Sequence, residues 1–184
     1  MVQAENKYQY LKQIISNTRL SRIEAERRLL KLDALSKHAS VYYACLTAFI
    51  SLTSIFVNYE GLPFLSIVLA VIVSICTIYS SSQNYGVRAE QMKSCYLDLQ
   101  RLLFKLDDKA NLNETDAQNL SNKIGQQYID IIQRTENHHP IDFFLAQGKL
   151  NKTAYQMRWL ALRAVVYLLP IAIILLVSYM IWPF

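Results

Sequence analysis

The densest run of side chains that could carry chemistry is a seven-residue segment, Glu-Asn-His-His-Pro-Ile-Asp, at positions 136–142. Two histidines beside two acids suggest a metal site, but adjacent residues point in different directions, and the i, i+4 histidine pair of a helical zinc protease is missing. As a turn the segment is coherent, because His or Asn can satisfy free helix ends and Pro suits the first helical position. We expect a structural turn, with a partner or ligand contact as the alternative, through Glu136, Asn137, His138 and Asp142.

No other arrangement of residues favours catalysis. The chain has four glycines in total, which excludes a glycine-rich phosphate loop, and it has neither a nucleophile elbow nor the spacing of a catalytic triad. Its three cysteines show no paired spacing and are expected as free thiols. We therefore expect no catalytic residues, no bound metal, no cofactor and no enzymatic activity.

Small and hydroxyl side chains recur every three or four residues in two apolar runs. The first stripe consists of Ala44, Thr47, Ser51, Ser54 and Asn58, and the second of Ser66, Ala70, Ser74 and Thr77. Such stripes allow helices to pack closely, or they line a water-filled pore when several copies assemble. Packing is favoured for the second stripe. Both interpretations stay open for the first, because Asn58 adds a polarity that packing does not need.

The charge distribution indicates that the two stripes lie in membrane-spanning segments and the polar segment at 136–142 lies outside them. Apolar residues make up 53% of the chain and charged residues only 18%. The fifty residues between Lys37 and Arg88 carry a single charge, Glu60, and the residues after Arg163 carry none. This pattern excludes a soluble enzyme of ordinary composition and excludes disorder, which requires low hydrophobicity. It predicts a membrane protein.

Three membrane spans are predicted, each near the length that crosses a hydrocarbon core of about 30 Å. The first two, at 41–59 and 62–80, form a tight hairpin over 41–80, and the third covers 160–182 with a kink at Pro170. Lys and Arg are concentrated outside the spans, and the hairpin tip carries only an acid. The positive-inside rule then places the N-terminus in the cytoplasm and the hairpin tip outside.

The segments outside the spans predict amphipathic helices. Residues 1–40 form one cytoplasmic amphipathic helix, whose apolar stripe is interrupted by Arg22, and residues 81–159 form a helical cytoplasmic domain. No alternating β-branched run lies outside the spans. The predicted fold class is all-α: a transmembrane hairpin, a third C-terminal transmembrane helix and a helical cytoplasmic domain.

Basic residues flank the predicted spans. Those expected at the membrane surface, where they would meet anionic headgroups, are Arg27, Arg28, Lys31, Lys37, Arg158 and Arg163. Acidic residues are interleaved among the basic residues of the first helix. We therefore expect the lipid bilayer, and not nucleic acid, as their direct partner.

The order of these features resembles the SLATT family, the bacterial two-transmembrane effector domains of nucleotide-generating and nucleotide-sensing conflict systems. The resemblance covers residues 5–150 and leaves the third span as an addition. It rests on a charged first helix, a tight hairpin, an amphipathic helix and the polar segment that follows. The residues that carry it are Glu26-Arg27-Arg28, then Tyr96, Leu99 and Leu103, then Tyr128 and Glu136-Asn137-His138…Asp142.

The resemblance implies an effector of antiphage defence, located in the bacterial inner membrane, which oligomerises on a signal and permeabilises that membrane. The implied trigger is a nucleotide second messenger or a neighbouring defence protein such as a reverse transcriptase. Two alternatives stay open. One is a membrane-anchoring scaffold subunit that recruits a soluble partner enzyme, and the other is a holin-like lysis protein.

Overall fold

The computed structural model describes residues 2–56, 61–107 and 114–181, and these residues form six helices without a strand. Three of the helices are long and apolar enough to cross a membrane. The predicted all-α fold with three apolar helices is therefore confirmed. In chain order the helices are α1 (Val2–Phe56), α2 (Gly61–Ser82), α3 (Tyr85–Asp107), α4 (Glu114–Gln133), α5 (Pro140–Ala146) and α6 (Lys152–Ile181).

Helix α1 is continuous for 55 residues, so the predicted amphipathic helix and the first predicted span are one element. No Pro or Gly interrupts this stretch, and nothing in the sequence would end the helix before its last apolar turn. The predicted tip of the hairpin, with Asn58 and Glu60, lies outside the described residues. Helices α2 and α3 are separated at Asn84, whose φ of 48° lies in the left-handed region that Asn tolerates.

The chain divides into two compact units, of which the first comprises residues 1–30 and 86–152. We call it the amphipathic unit. In its core the apolar stripes of α1, α3 and α4 meet, as their 3-4 spacing predicts. Buried residues of this core are Ile15, Cys95, Leu99, Leu102, Leu103, Leu106 and Ile124, with Tyr8, Leu11, Leu120, Tyr128 and Ile131 packed around them.

The second unit comprises residues 31–85 and 153–184, and we call it the membrane unit. Its core consists of Leu46, Ile50 and Leu62, against which side chains of all three apolar helices pack, including Tyr43 and Ile173. Only 11%, 11% and 6% of the most apolar windows of the three span-forming helices are buried within the chain. The apolar surface that is left over is what a lipid environment would cover.

Pro170 lies inside α6 and is fully buried. Because proline has no N–H, the carbonyl four residues earlier, at Val166, loses its helical donor. The hydroxyl of Tyr43 on α1 donates a hydrogen bond to that carbonyl at 3.1 Å. A side chain from a neighbouring helix thus satisfies the group that proline frees, which is how membrane helices tolerate an internal proline.

Substituting Tyr43→Phe should destabilise the membrane unit by about 1 kcal/mol, the usual size of one interhelical hydrogen bond in a membrane protein. In a Pro170→Ala background the same substitution should have almost no effect, because the restored N–H of residue 170 can bond to the Val166 carbonyl. The measurement is unfolding of the detergent-solubilised chain by sodium dodecyl sulfate, followed through the fluorescence of its two tryptophans. Tyr42→Phe is the matched control, since the Tyr42 hydroxyl makes no hydrogen bond among the described residues. An equal loss in both backgrounds would contradict the assignment.

Candidate functional site

The polar segment at 136–142 connects α4 to α5 and forms the turn that its sequence predicts. His139 is the N-cap of α5, and its Nδ1 accepts a hydrogen bond from the N–H of Ile141 at 3.3 Å. The Asp142 carboxylate accepts from the N–H of His139 at 3.1 Å and completes a capping box. Pro140 occupies the first turn, where its missing N–H costs nothing.

Asp142 has no exposed surface, and its charge is balanced by an arginine of α1. Arg28 Nε lies 2.8 Å from Oδ1 of Asp142, and Nη2 lies 3.0 Å from Oδ2. This two-pronged geometry is the strongest that a guanidinium and a carboxylate can form. Arg28, expected at the membrane surface, is therefore engaged by Asp142 inside the amphipathic unit.

Glu136 is paired with an arginine of α3, since Arg88 Nε donates to both of its carboxylate oxygens at 2.8 and 2.9 Å. The backbone carbonyl of Glu136 accepts a further hydrogen bond from Nη1 of Arg22. Arg22 is only 2% exposed, and Nη1 also lies 3.3 Å from the sulfur of Met92. Its Nε is buried without a hydrogen-bond partner among the described residues.

His138 lies between these ion pairs and is half-buried. Its Nδ1 is buried without a hydrogen-bond partner in the described part of the chain, and its ring centroid lies 6.3 Å from that of Phe143. Burial, and secondarily the positive charge of Arg22, lower the pKa of His138, while Asp142 opposes that shift. The neutral imidazole is therefore favoured. The fourth predicted contact residue, Asn137, is exposed.

Ion pairs between side chains link α1 and α3 to the segment that joins α4 to α5. Each of the two carboxylates is neutralised by one arginine, whereas Arg22 forms no ion pair within the described part of the chain and donates to the Glu136 carbonyl. Among the described residues, no group of three or more His, Cys, Asp and Glu side chains could hold a metal ion. The network is thus suited to fixing the position of the turn.

The first small-residue stripe runs along α1 in the membrane unit. Ala44 and Ser51 are exposed, whereas Thr47 and Ser54 are half-buried. The hydroxyls of Thr47 and Ser54 donate to carbonyls of their own helix, at 2.8 and 2.7 Å. Asn58, the last member, lies outside the described residues.

The second stripe divides between a buried and an exposed part of α2. Ser66 is buried and donates to the Pro63 carbonyl at 2.8 Å. Ala70, Ser74 and Thr77 are exposed, and the Ser74 hydroxyl donates to the carbonyl of Ala70 at 2.7 Å. These hydroxyls bond within their own helix and not across a helix interface.

The remaining basic residues of the predicted membrane surface fall into two groups. Arg27 and Lys37 are engaged in local pairs on α1, with Glu24 and Asp33 respectively, both at 2.7 Å. The other three side chains are exposed, and they are Lys31, Arg158 and Arg163.

Reasoning from the sequence did not assign Arg22 and Arg88 to this site. Arg22 leaves a detectable signal, because a charged residue at an apolar position of an amphipathic stripe requires a polar partner if it is buried. Arg88 leaves none, since it lies 48 residues from Glu136 and nothing in its surroundings marks the pairing.

Substituting Arg28→Ala should lower the free energy of unfolding of the amphipathic unit by about 3 kcal/mol, because it leaves the buried Asp142 carboxylate without its counter-charge. Arg27→Ala is the matched control and should cost less than about 1 kcal/mol, because the Arg27–Glu24 pair is exposed. Hydrogen exchange of α3 and α5 amides, measured by mass spectrometry on the full chain, reports both values. Similar effects of the two substitutions would contradict the role given to Asp142.

The amphipathic unit should lose stability as the pH falls below the ordinary histidine pKa of 6.5. Because the folded pKa of His138 is lowered, the unfolded chain binds a proton there that the folded chain does not. The stabilisation is complete above pH 6.5 and is lost as the pH falls toward the folded pKa. His138→Gln should remove this part of the pH dependence in the same exchange measurement, and an unchanged slope in the variant would exclude His138 as its source.

Comparison with known proteins identifies one family. Residues 4–184 match the model of the SMODS and SLOG-associating 2TM effector domain family 5. The match extends through α6, so the third apolar helix belongs to the matched region and is not an addition after residue 150. No curated protein and no solved structure matches the chain. The chain is thus a membrane protein of the SLATT family, whose members are two-transmembrane effector domains of conflict systems.

Proposed function

We propose that this chain is the effector of a bacterial antiphage defence system, and that on a signal it oligomerises in the inner membrane and permeabilises it. Membership of the SLATT family supports the effector role. The observation that carries the pore mechanism is the outward position of small and hydroxyl side chains on two span-forming helices. Exposed members of the two stripes are Ala44, Ser51, Ala70, Ser74 and Thr77.

A water path requires several copies, because one hairpin with one further helix cannot enclose a channel. The exposed stripes supply surfaces with small side chains, along which helices of neighbouring copies can approach closely. The hydroxyls of Thr47 and Ser74 each donate within their own helix. Their oxygens retain lone pairs, so water in an assembled pore can still bond to them. Charged rings are missing from the stripes, so we expect weak ion selectivity.

The amphipathic unit is, in this proposal, the part that receives the signal. The excess of Lys and Arg outside the spans supports a cytoplasmic N-terminus, where that unit would meet its trigger. The trigger is a nucleotide second messenger or a neighbouring defence protein such as a reverse transcriptase. The carboxylates of Glu136 and Asp142 are already engaged by arginines, which supports a role in transmitting the signal and not in catalysis. We propose neither a cofactor nor direct nucleic-acid binding.

Ser51→Leu should abolish the toxicity that follows triggering, because a bulky apolar side chain on the stripe would fill the narrow path and repel water. Thr53→Leu is the matched control: it also removes a hydroxyl, but from the opposite face of α1. The measurement is membrane potential and uptake of an impermeant dye in cells that express the chain together with its trigger. Both variants should still insert into the membrane.

Two results would reject the pore mechanism. One is growth arrest with an intact membrane potential, and the other is equal loss of toxicity in both variants. The oligomer size in nanodiscs, measured with and without candidate nucleotides, tests the assembly step separately. A chain that stays monomeric while the potential collapses would reject assembly.

A scaffold subunit is the second candidate, favoured by a polar cleft of about 370 Å³ between α3 and α4. Its charged lining residues are Asp98, Arg101, Lys105, Asp130 and Arg134. Alternating charges of this kind suit a soluble protein partner. Replacing the spans with an unrelated hairpin separates the two functions, because a scaffold would tolerate the exchange and a pore would not. A holin-like lysis protein is disfavoured by the separate amphipathic unit, which a lysis pore does not need.

A further inference from the structure

A basic pocket of about 250 Å³ lies between α1 and α6 within the membrane unit. Its polar lining contains the cations Lys31 and Arg163 and the imidazole of His38, and it contains no carboxylate. Among the described residues neither cation makes a hydrogen bond or an ion pair, whereas the nearby Lys37 is neutralised by Asp33. Two cations that converge on one pocket without an acid form a site for an anion.

An apolar groove of about 690 Å³ adjoins this pocket, and Leu35 lines both. Side chains of α1, α2 and α6 form its walls, among them Leu32, Val73 and Leu162. Its lining is mostly apolar, and among its polar groups the hydroxyls of Ser36 and Ser80 bond to each other while that of Tyr43 bonds to the Val166 carbonyl. The groove therefore presents a surface that suits a hydrocarbon chain and offers little to a polar ligand.

The two cavities lie side by side, and the groove reaches further along α1 and α6 into the apolar runs, as the acyl chain of a lipid with its headgroup in the basic pocket requires. On α1 the basic pocket extends to His38, whereas the groove extends to Tyr43, five residues or about 7.5 Å further into the apolar run. On α6 the groove likewise ends beyond the pocket, at Leu169. Trp159 lines the basic pocket, as an aromatic side chain at a membrane interface does.

We infer that this cleft between α1 and α6 binds one anionic phospholipid. The phosphate of its headgroup is held by Lys31 and Arg163, and an acyl chain occupies the apolar groove. A helix of a second copy would also cover the groove, but it would leave the two cations without a counter-charge. A soluble phosphate compound would neutralise the cations and leave the groove empty. A phospholipid satisfies both halves of the site at once.

This binding does not depend on the pore mechanism, because it concerns the chain before any trigger acts. A lipid that bridges α1 and α6 stabilises the membrane unit by binding the folded state. The site also differs from a general attraction of basic residues to the membrane surface. It predicts that one lipid binds per chain, and that binding depends on Lys31 and Arg163 but not on basic residues outside the pocket.

The test is native mass spectrometry of the full chain, released from detergent with phosphatidylglycerol or phosphatidylcholine of identical acyl chains. One phosphatidylglycerol should bind tightly, and the double variant Lys31→Gln/Arg163→Gln should weaken that binding roughly 25-fold, from about fivefold for each cation. The control Lys37→Gln/Arg158→Gln removes two basic residues that do not line the pocket and should leave the affinity within about twofold. Ala39→Phe, which narrows the groove, should weaken both lipids, and Lys31→Arg should retain binding.

Three outcomes would overturn the inference. Equal affinity for the two lipids would show that the site does not select a headgroup with a net negative charge, because both lipids carry a phosphate and only phosphatidylcholine neutralises it with its own ammonium group. Equal losses in the two double variants would show only diffuse attraction to charge. Full competition by inorganic phosphate, or a lipid-free dimer that covers the groove, would show that no acyl chain is held there. Because no trigger is present in this experiment, its failure would leave the pore hypothesis unaffected.

Discussion

The buried carboxylate of Asp142 is the interaction on which the amphipathic unit depends. A charge without exposed surface is costly unless opposite charge and hydrogen bonds replace its water. Arg28 and the N–H of His139 supply both, which fixes the start of α5 against α1. The direction of the preceding turn follows, and with it the position of Glu136 next to the arginine of α3. Within the Glu-Asn-His…Asp element, the capping box thus accounts for Asp142 and the ion pair with Arg88 accounts for Glu136.

In the membrane unit the corresponding constraint is that every backbone polar group needs a hydrogen-bond partner. Lipid offers no hydrogen bonds, so a helix there must satisfy each carbonyl and N–H from within the protein. Pro170 breaks this rule at one carbonyl, and the Tyr43 hydroxyl restores it from a different helix. The proline thereby makes α6 dependent on α1. In this three-helix unit, α6 is therefore held to α1 by a hydrogen bond in addition to the packing of Ile173 and its neighbours.

Sequence periodicity predicted which helix faces are buried, but it could not predict single contacts between residues that are distant in the chain. The apolar residues of α3 are buried as their spacing indicates, because residues three and four positions apart lie on the same face of a helix. The change of hydropathy near residue 40 lies within the continuous helix α1, since such a change alters the environment of a helix without breaking its hydrogen bonds. Arg88–Glu136 and Tyr43–Val166 join residues 48 and 123 positions apart, and such pairs have no local signature. Two residues indicate from the sequence that a polar partner is needed: Pro170, which has no backbone N–H, and Arg22, a charge at an apolar position. Neither indicates which residue that partner is.

The hydroxyls of the two stripes make the proposed aqueous pore compatible with a chain that is inserted in a membrane. A serine or threonine whose hydroxyl had no partner could not face lipid without cost, but Thr47, Ser54 and Ser74 donate to carbonyls of their own helices. Their donors are satisfied in any environment, so the same faces are compatible with lipid around a single copy and with small-residue contacts or water inside an assembly. The proposed assembly would then break none of these three hydrogen bonds. In the proposed assembly, the choice between the two environments would therefore fall to the apolar contacts of neighbouring copies and to the signal, since the hydroxyls of Thr47, Ser54 and Ser74 are satisfied in both.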